Sequence, residues 1–428
     1  MSAERSPCTV APACAILARP RAVAGLQRNR HAIPVPTALI AFDKFKGAVS
    51  ARQACEAAAR ALRRARPSWD VDIAPLTDGG EGFCETLVSA VDGSLVQAEV
   101  HGPLGALVTA TVGTAGACSV EPEALDAVGL PRGSRARLLV VELATASGLS
   151  LVPPGSQDPW RTSTHGTGEL LALARDHGCE RVLLGVGGSA TSDLGLGALQ
   201  ALGYRFLVAD GSPLDSVTPS AWPFIARIEP PHSIPIPPVV VACDVSNPLL
   251  GDEGAAAVYG PQKGLGRQDL HVHERLARHM AYLLCDAAGK DPALIDHPGA
   301  GAAGGIGFGL MVGLGARLVG GFDLVARWLG LSRRVASAHL VLTGEGRFDA
   351  SSLAGKGPGA LLRLTQQLGT PAMAFVGDIA AEIDGSRLPV RAITSRAVPP
   401  HEAMARTEEW LEQSIFEWLR SEWPSTDR

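Results

Sequence analysis

The sequence predicts an α/β fold on a mixed sheet. Three observations carry that expectation: a β-α-β unit where order begins, a hairpin in the middle of the chain, and renewed strand–helix alternation in the last third. The first strand is placed at Thr37 to Phe42 and leads through Asp43-Lys44-Phe45-Lys46-Gly47 into a helix. Ser50 with Gln53 three residues later forms a capping box at the start of that helix. Ala54, Ala58, Ala61 and Leu62 give it an apolar stripe, and Pro67 stops it. A second strand, Val71 to Leu76, runs into Thr77-Asp78-Gly79-Gly80-Glu81-Gly82 and completes the unit.

The middle reads differently. Ser94 to Val100 and Ala106 to Gly113 are strands joined across Gly102-Pro103-Leu104-Gly105, a hairpin that makes the sheet mixed. A strand at Leu138 to Leu143, a helix at Thr167 to His177 closed by Gly178, and strands at Arg181 to Val186 and Tyr204 to Ala209 follow. Pro219 to Pro238 is expected to be a long irregular connection. Beyond it come a helix near Gln268 to Ala288, a glycine-rich segment at Gly299 to Gly315, and a strand at His339 to Thr343. A helix at Gly359 to Leu368 and a strand at Ala372 to Val376 complete the alternation. A closing helix, Glu402 to Trp423, sets Trp410, Leu411, Ile415, Trp418 and Leu419 on one face, a core stripe rather than a ligand site.

Composition limits the function. The 428 residues are 46% hydrophobic, enough for a sizeable core, and the net charge of −5 offers no basic surface to nucleic acid or an anionic membrane. Gly, Pro or charge interrupts every apolar run before the ~18 residues that a bilayer span requires. Eight cysteines are scattered singly, with no C-x-x-C pair and no His cluster at zinc spacing along the sequence, which fits a reducing cytoplasm best. Residues 1–36 carry five Arg, one acid and five Pro with no hydrophobic period, and are expected to lie outside the fold. The partner is therefore a small molecule.

Five loops share one design, in which an apolar strand ends in residues that bear charge, hydroxyls or glycine. They are Asp43 to Gly47, Asp78 to Gly82, Gly187 to Asp193, Cys243 to Asn247 and Gly344 to Asp349. Ligands of open α/β sheets bind beyond the carboxyl ends of the strands, so these loops form one candidate site. Gly187, Gly188, Ser189 and Thr191 follow a strand and are expected to open a helix, whose N–H groups and dipole favour a phosphate. Plain turn formation is an equal reading of that motif alone. The chain has only five lysines against 33 arginines, and those lysines stand in glycine-bearing loops, where a compact ammonium suits a phosphate. Lys263 and Lys356 are candidates to neutralise phosphates, and Arg347 to hold a carboxylate. The acids Asp43, Asp78, Glu81, Asp193, Asp244, Glu345 and Asp349 are more than a metal-assisted phosphoryl transfer needs, so some are structural caps. No G-x-x-x-x-G-K-[ST], no G-x-G-x-x-G after the first strand and no protein-kinase signature occurs.

Taken in order, these motifs resemble the bacterial glycerate kinase family (type I glycerate 2-kinases). The matching pieces are DKFKG at 43–47, DGGEG at 78–82, ELATASGL at 142–149, TSTHGTGEL at 162–170 and GVGGSATSD at 185–193. They continue with ACDVSNPLL at 242–250, YGPQKG at 259–264, PGAGAAGGIGFGL at 298–310 and LTGEGRFD at 342–349. The resemblance implies transfer of a phosphoryl group from ATP, with Mg²⁺, to D-glycerate, with 2-phosphoglycerate favoured over 3-phosphoglycerate, in a cytoplasmic monomer or homodimer. It also implies two domains with the active site in the cleft between them. One is a Rossmann-like parallel α/β/α domain from 37–93 plus 290–428, and the other an inserted mixed α/β domain at 94–289.

Within that frame Lys46, Asp78, Glu81 and Asp193 are the expected catalytic residues, with Asp78 or Glu81 as base. Asp43, Arg347 and Glu345 bind the substrate, Gly187, Gly188, Ser189, Thr191, Lys263 and Lys356 the nucleotide, and Asp193 and Asp244 the metal. The chain departs from the family pattern at Phe42, Lys44, Ala48 and Ser192. The rival readings are a kinase for another hydroxy acid and an inactive binding relative; the latter would have lost several loop acids and lysines, which here are present.

Overall fold

Runs such as Leu39-Ile40-Ala41-Phe42 and Leu138-Leu139-Val140-Val141 have no polar alternation, so each strand must be covered on both faces, and every one of these side chains is buried. The structure, a computed structural model, describes residues 35–234, 236–353, 357–384, 388–394 and 398–423. Two principal sheets organise them. The first is wholly parallel, in the order Val390–Ala392, Ala372–Val376, Leu340–Gly344, Thr37–Phe42, Asp70–Ile73. The second runs Arg317–Val319, Val239–Ala242, Arg181–Gly185, Arg137–Glu142, Leu107–Gly116, Ser94–His101, parallel as far as Arg137–Glu142 and antiparallel beyond it.

The two faces of each strand enter different layers. Ala38, Ile40 and Phe42 pack beneath the helices Ala51–Ala65 and Thr407–Ser421, whose Leu411, Ile415, Trp418 and Leu419 form the expected stripe. Leu39 and Ala41 face the opposite way and share one cluster with Leu138, Val140, Leu183 and Val240 of the second sheet. Leu139, Val141, Val182 and Val241 turn to a third cluster with the helices His165–Asp176, Leu270–Ala288 and Ala302–Leu314. A common apolar layer thus joins the sheets, and Pro36–Arg428 forms one compact unit.

Several local expectations are met closely. The Ser50 hydroxyl accepts from the Gln53 N–H at 3.2 Å while the Gln53 side chain accepts from the Ser50 N–H at 2.9 Å, the reciprocal cap read from the sequence. The hairpin pairs Ser94–His101 with Leu107–Gly116.

Others need correction. The glycine-rich 299–315 segment is mostly the helix Ala302–Leu314, entered through left-handed residues at 303–305. Gly304 is required there, since a Cβ would lie 2.0 Å from the Thr191 carbonyl oxygen. The closing helix is two helices, Pro400–Ala405 and Thr407–Ser421, broken at Arg406. The stretch after Pro219 contains the short strand Arg227–Glu229, paired with Arg205–Leu207. Arg317–Val319 pairs with Val239–Ala242, so chain beyond residue 290 still belongs to the second sheet.

Candidate active site

The first sheet ends at Phe42, Gly344 and Val376, and the loops that follow them converge with the turn after Asp70–Ile73 and the loop after Gly185. Close approach depends on glycine: a Cβ on Gly187 would lie 2.4 Å from the Cα of Gly80, and one on Gly377 would lie 2.4 Å from the Gly346 carbonyl oxygen. The Gly187 N–H donates to the Gly79 carbonyl at 3.1 Å, which ties the two sheets at this point. Between the loops lies a cavity of about 1240 Å³ lined by Asp43, Lys44, Lys46, Asp78, Glu81, Gly187, Gly188, Glu345 and Arg347. Four of the five loops singled out in the sequence therefore meet at one site. A second cavity of about 910 Å³ adjoins it around the 44–48 turn and is lined further by Arg52, Arg333 and Arg334.

The electrostatic centre is Lys44. Its Nζ lies 3.5 Å from Asp43 Oδ1 and 3.7 Å from Asp78 Oδ1. Burial alone would lower the pKa of this ammonium, but Asp43, Asp78 and Glu81 hold it above the ordinary lysine value. Asp43 is almost enclosed. Burial lifts its carboxyl to about 6, opposed by Lys44 and assisted by Asp78. Asp78 remains half exposed and accepts from the Gly80 N–H at 3.1 Å. Glu345 is pushed up to about 7 by burial, opposed by a hydrogen bond from Ser352 and reinforced by Asp43, Asp349 and Asp78. Its Oε1 is shielded from solvent and has no hydrogen-bond partner among the described residues. Lys46 and Arg347 are exposed at the cavity.

The structure separates other expected residues from this cavity. Asp193 has no exposed surface, and its carboxylate accepts from the Thr164 N–H and hydroxyl, both at 2.8 Å, and from the Gly195 and Gly197 N–H groups, both at 3.2 Å. Three of these donors meet Oδ2 and one meets Oδ1, and Asp193 lines neither cavity. The same bonds correct the phosphate-cradle geometry. The helix Leu196–Ala201 begins several residues after Gly187 to Thr191, behind left-handed Leu194 and Gly195, and Asp193 already caps it. Gly187 and Gly188 line the cavity; Ser189 and Thr191 do not.

Lys263 is also enclosed, donating to the Ser189 hydroxyl at 2.8 Å and the Thr191 carbonyl at 2.6 Å, with its pKa lowered to about 7 by burial and partly restored by Asp193. It braces the loop from beneath. Asp244 accepts from the Phe322 N–H at 2.9 Å and lines neither cavity. Lys356 lies outside the described residues.

Two residues of this region were not singled out for a role. Lys44 stood in the sequence as one of the five lysines in glycine-bearing loops and as a departure from the family pattern, with no role of its own. Glu142 lies at the end of a central strand and accepts from the Gly82 and Cys84 N–H groups at 3.0 and 3.4 Å, thereby orienting the 78–82 loop. Burial lifts it to about 7 against those two hydrogen bonds.

Comparison with known proteins gives the chain a family. Residues 38–420 match the model of the "Glycerate kinase family". A glycerate kinase from Halalkalibacterium halodurans is 39% identical over 347 residues, 80% of this chain and 86% of that protein. A glycerate 2-kinase from Escherichia coli K12 is 34% identical over 349 residues, 81% of this chain and 86% of its own length. The crystal structure of a protein assigned as glycerate kinase 2 from Salmonella typhimurium LT2 superposes with a TM-score of 0.72 at 34% identity, covering 90% of this chain and 97% of that one.

Proposed function

The chain belongs to the glycerate kinase family, and from that premise we propose that it transfers the γ-phosphoryl group of ATP to D-glycerate, yielding 2-phosphoglycerate and ADP. One observation carries the reading at the level of residues: a lysine held between two aspartates, beside a half-buried glutamate with an oxygen unpaired among the described residues, in a cavity large enough for both substrates.

Phosphoryl transfer needs little covalent help from a protein; positioning and charge compensation do most of it. Arg347 grips the glycerate carboxylate, for which its planar fork is suited. Lys46 and the Gly187-Gly188 backbone receive the phosphates. The attacking hydroxyl loses its proton to Asp43 as its oxygen bonds to phosphorus and the bond to ADP breaks. A carboxyl near pKa 6 is mostly ionised at neutral pH yet still basic enough to take that proton. Lys44 keeps Asp43 ionised, and Asp78 holds Lys44. Asp43 thereby replaces Asp78 and Glu81 as the base.

Mg²⁺ suits this corner. It is a hard cation that takes one or two carboxylates and keeps several waters. Asp78 and Glu345 supply carboxylate oxygens at the cavity, and the orphaned Glu345 Oε1 calls for a cation or donor. When bound, the ion would neutralise charge on the phosphates. The cavity, where loops from both sheets meet, takes the place of the expected cleft in this scheme.

A coupled ADP assay over a panel of small hydroxy acids tests the proposal. Glycerate is expected to give the highest kcat/KM; turnover with another acid and none with glycerate would assign the chain to that acid instead.

A further inference from the structure

Outside the cavity, His101, His165 and Glu169 form a separate cluster. Among the described residues their ligand atoms all lie within 4.8 Å of one another. Two come from one helix. His165 is the first residue of His165–Asp176 and Glu169 follows four positions later, so both project from the same face. The third, His101, ends the hairpin strand Ser94–His101. His101 Nδ1 lies 2.8 Å and His165 Nε2 3.7 Å from Glu169 Oε1, and the two imidazoles meet edge to face with centroids 5.3 Å apart. Those separations bracket the ~3.3 Å expected between ligands on a tetrahedral ion with bonds of about 2.0–2.1 Å.

The surroundings are built for convergence. The His101 N–H donates to Glu169 Oε2 at 2.7 Å, which fixes the carboxylate and leaves Oε1 for the cluster. Helix and strand approach closely because residue 166 is glycine; a Cβ there would lie 1.7 Å from the His101 carbonyl oxygen. Thr164, next to His165, holds the buried Asp193 through its N–H and hydroxyl. The three side chains are partly exposed, so a fourth position opens to water.

We propose that His101, His165 and Glu169 form a binding site for a borderline divalent transition-metal ion, Zn²⁺ by preference, that pins the hairpin to the start of the His165–Asp176 helix. Two imidazoles and a carboxylate with an open fourth position are a zinc donor set, and they lack the all-oxygen character that Mg²⁺ requires. On binding, each imidazole donates a ring-nitrogen lone pair, and the His101 proton resides on Nε2.

The test uses the full chain, stripped with chelator and titrated with ZnCl₂ by calorimetry, then with CoCl₂ by visible absorption. One equivalent of Zn²⁺ is expected to bind with a Kd of about 1 µM or tighter, to raise Tm, and to compete with Co²⁺ giving tetrahedral d–d bands. His101→Gln and His165→Gln are expected to weaken binding at least ~100-fold, whereas His279→Gln, on the exposed side of the helix Leu270–Ala288, leaves it unchanged. Wild-type protein that binds no Zn²⁺ at about 100 µM, or His101→Gln and His165→Gln proteins that bind as tightly as wild type, would overturn the proposal. Zinc-edge X-ray absorption on the wild-type protein decides the matter without variants: two imidazoles among nitrogen and oxygen ligands are expected, and a sulfur ligand would assign the ion elsewhere.

Discussion

Replacing Lys44 by Met removes a cation 3.5 Å from Asp43 and 3.7 Å from Asp78 while keeping the length of the side chain. At an effective dielectric of ~20, unit charges at such distances attract by about 4–5 kcal/mol. One pKa unit is about 1.4 kcal/mol, so the full effect on Asp43 would be about 3 units. Partial exposure of the Lys44 and Asp78 side chains screens it, and a rise of about 1–2 units is the sound expectation. Asp43 begins at about 6. Without Lys44 it is largely protonated at neutral pH and unable to accept the hydroxyl proton. The assay is the pH dependence of kcat/KM for glycerate, with folding checked by circular dichroism. The acid limb of the wild-type profile is expected near pH 6 and that of Lys44→Met about 1–2 units higher, with activity largely recovered on the alkaline side. An acid limb that stays in place would refute Asp43 as the titrating base and Lys44 as its regulator.

Asp193→Asn leaves donors from Thr164, Gly195 and Gly197 imperfectly paired in a buried site, and is expected to lower the unfolding free energy by about 2–3 kcal/mol in urea; native stability with a lost Mg²⁺ requirement would instead restore the metal role. Glu345→Gln should raise the Mg²⁺ concentration needed for half-maximal rate at least ~10-fold; an unchanged requirement would remove Glu345 from the metal. In stability the sign is set by a folded pKa raised to about 7: the wild-type protein benefits from the protonated carboxyl below about pH 4.5 and loses that contribution as pH rises through 7. Glu345→Gln is therefore expected to gain stability relative to wild type from pH 5 to about 8, measured by thermal unfolding, and a constant difference would contradict the shift. Lys263, lowered to about 7, works in the opposite sense, because the unfolded chain takes up a proton that the folded chain resists. Its burden is full below about pH 7 and is relieved toward pH 10, so Lys263→Met should flatten that rise in stability; an unaltered slope counts against the buried lysine.

Much of this was legible in the sequence because the signals are local. The Ser50–Gln53 cap, the Thr37 to Phe42 run and the hairpin turn at 102–105 each specify their structure from neighbouring residues. The meeting of the 43–47, 78–82, 187–188 and 345–347 loops followed from their placement at strand ends. What escaped depends on distant partners. Asp193 and the glycines before it read as a phosphate loop, yet Thr164, far back in the chain, occupies its carboxylate, and left-handed Leu194 and Gly195 delay the helix. Lys263 looked like a free phosphate ligand because nothing local reveals that Ser189 and Thr191 lie against it. Lys44 gains its role only when Asp78 is brought beside it across the sheet.

The claim at the centre is phosphoryl transfer from ATP to the 2-hydroxyl of glycerate, and phosphorus NMR of the product tests it most directly. The account predicts ADP together with a phosphomonoester resonance split into a doublet by the single methine proton of 2-phosphoglycerate. A triplet from a phosphorylated CH₂ group, or no phosphoglycerate at all, would contradict it.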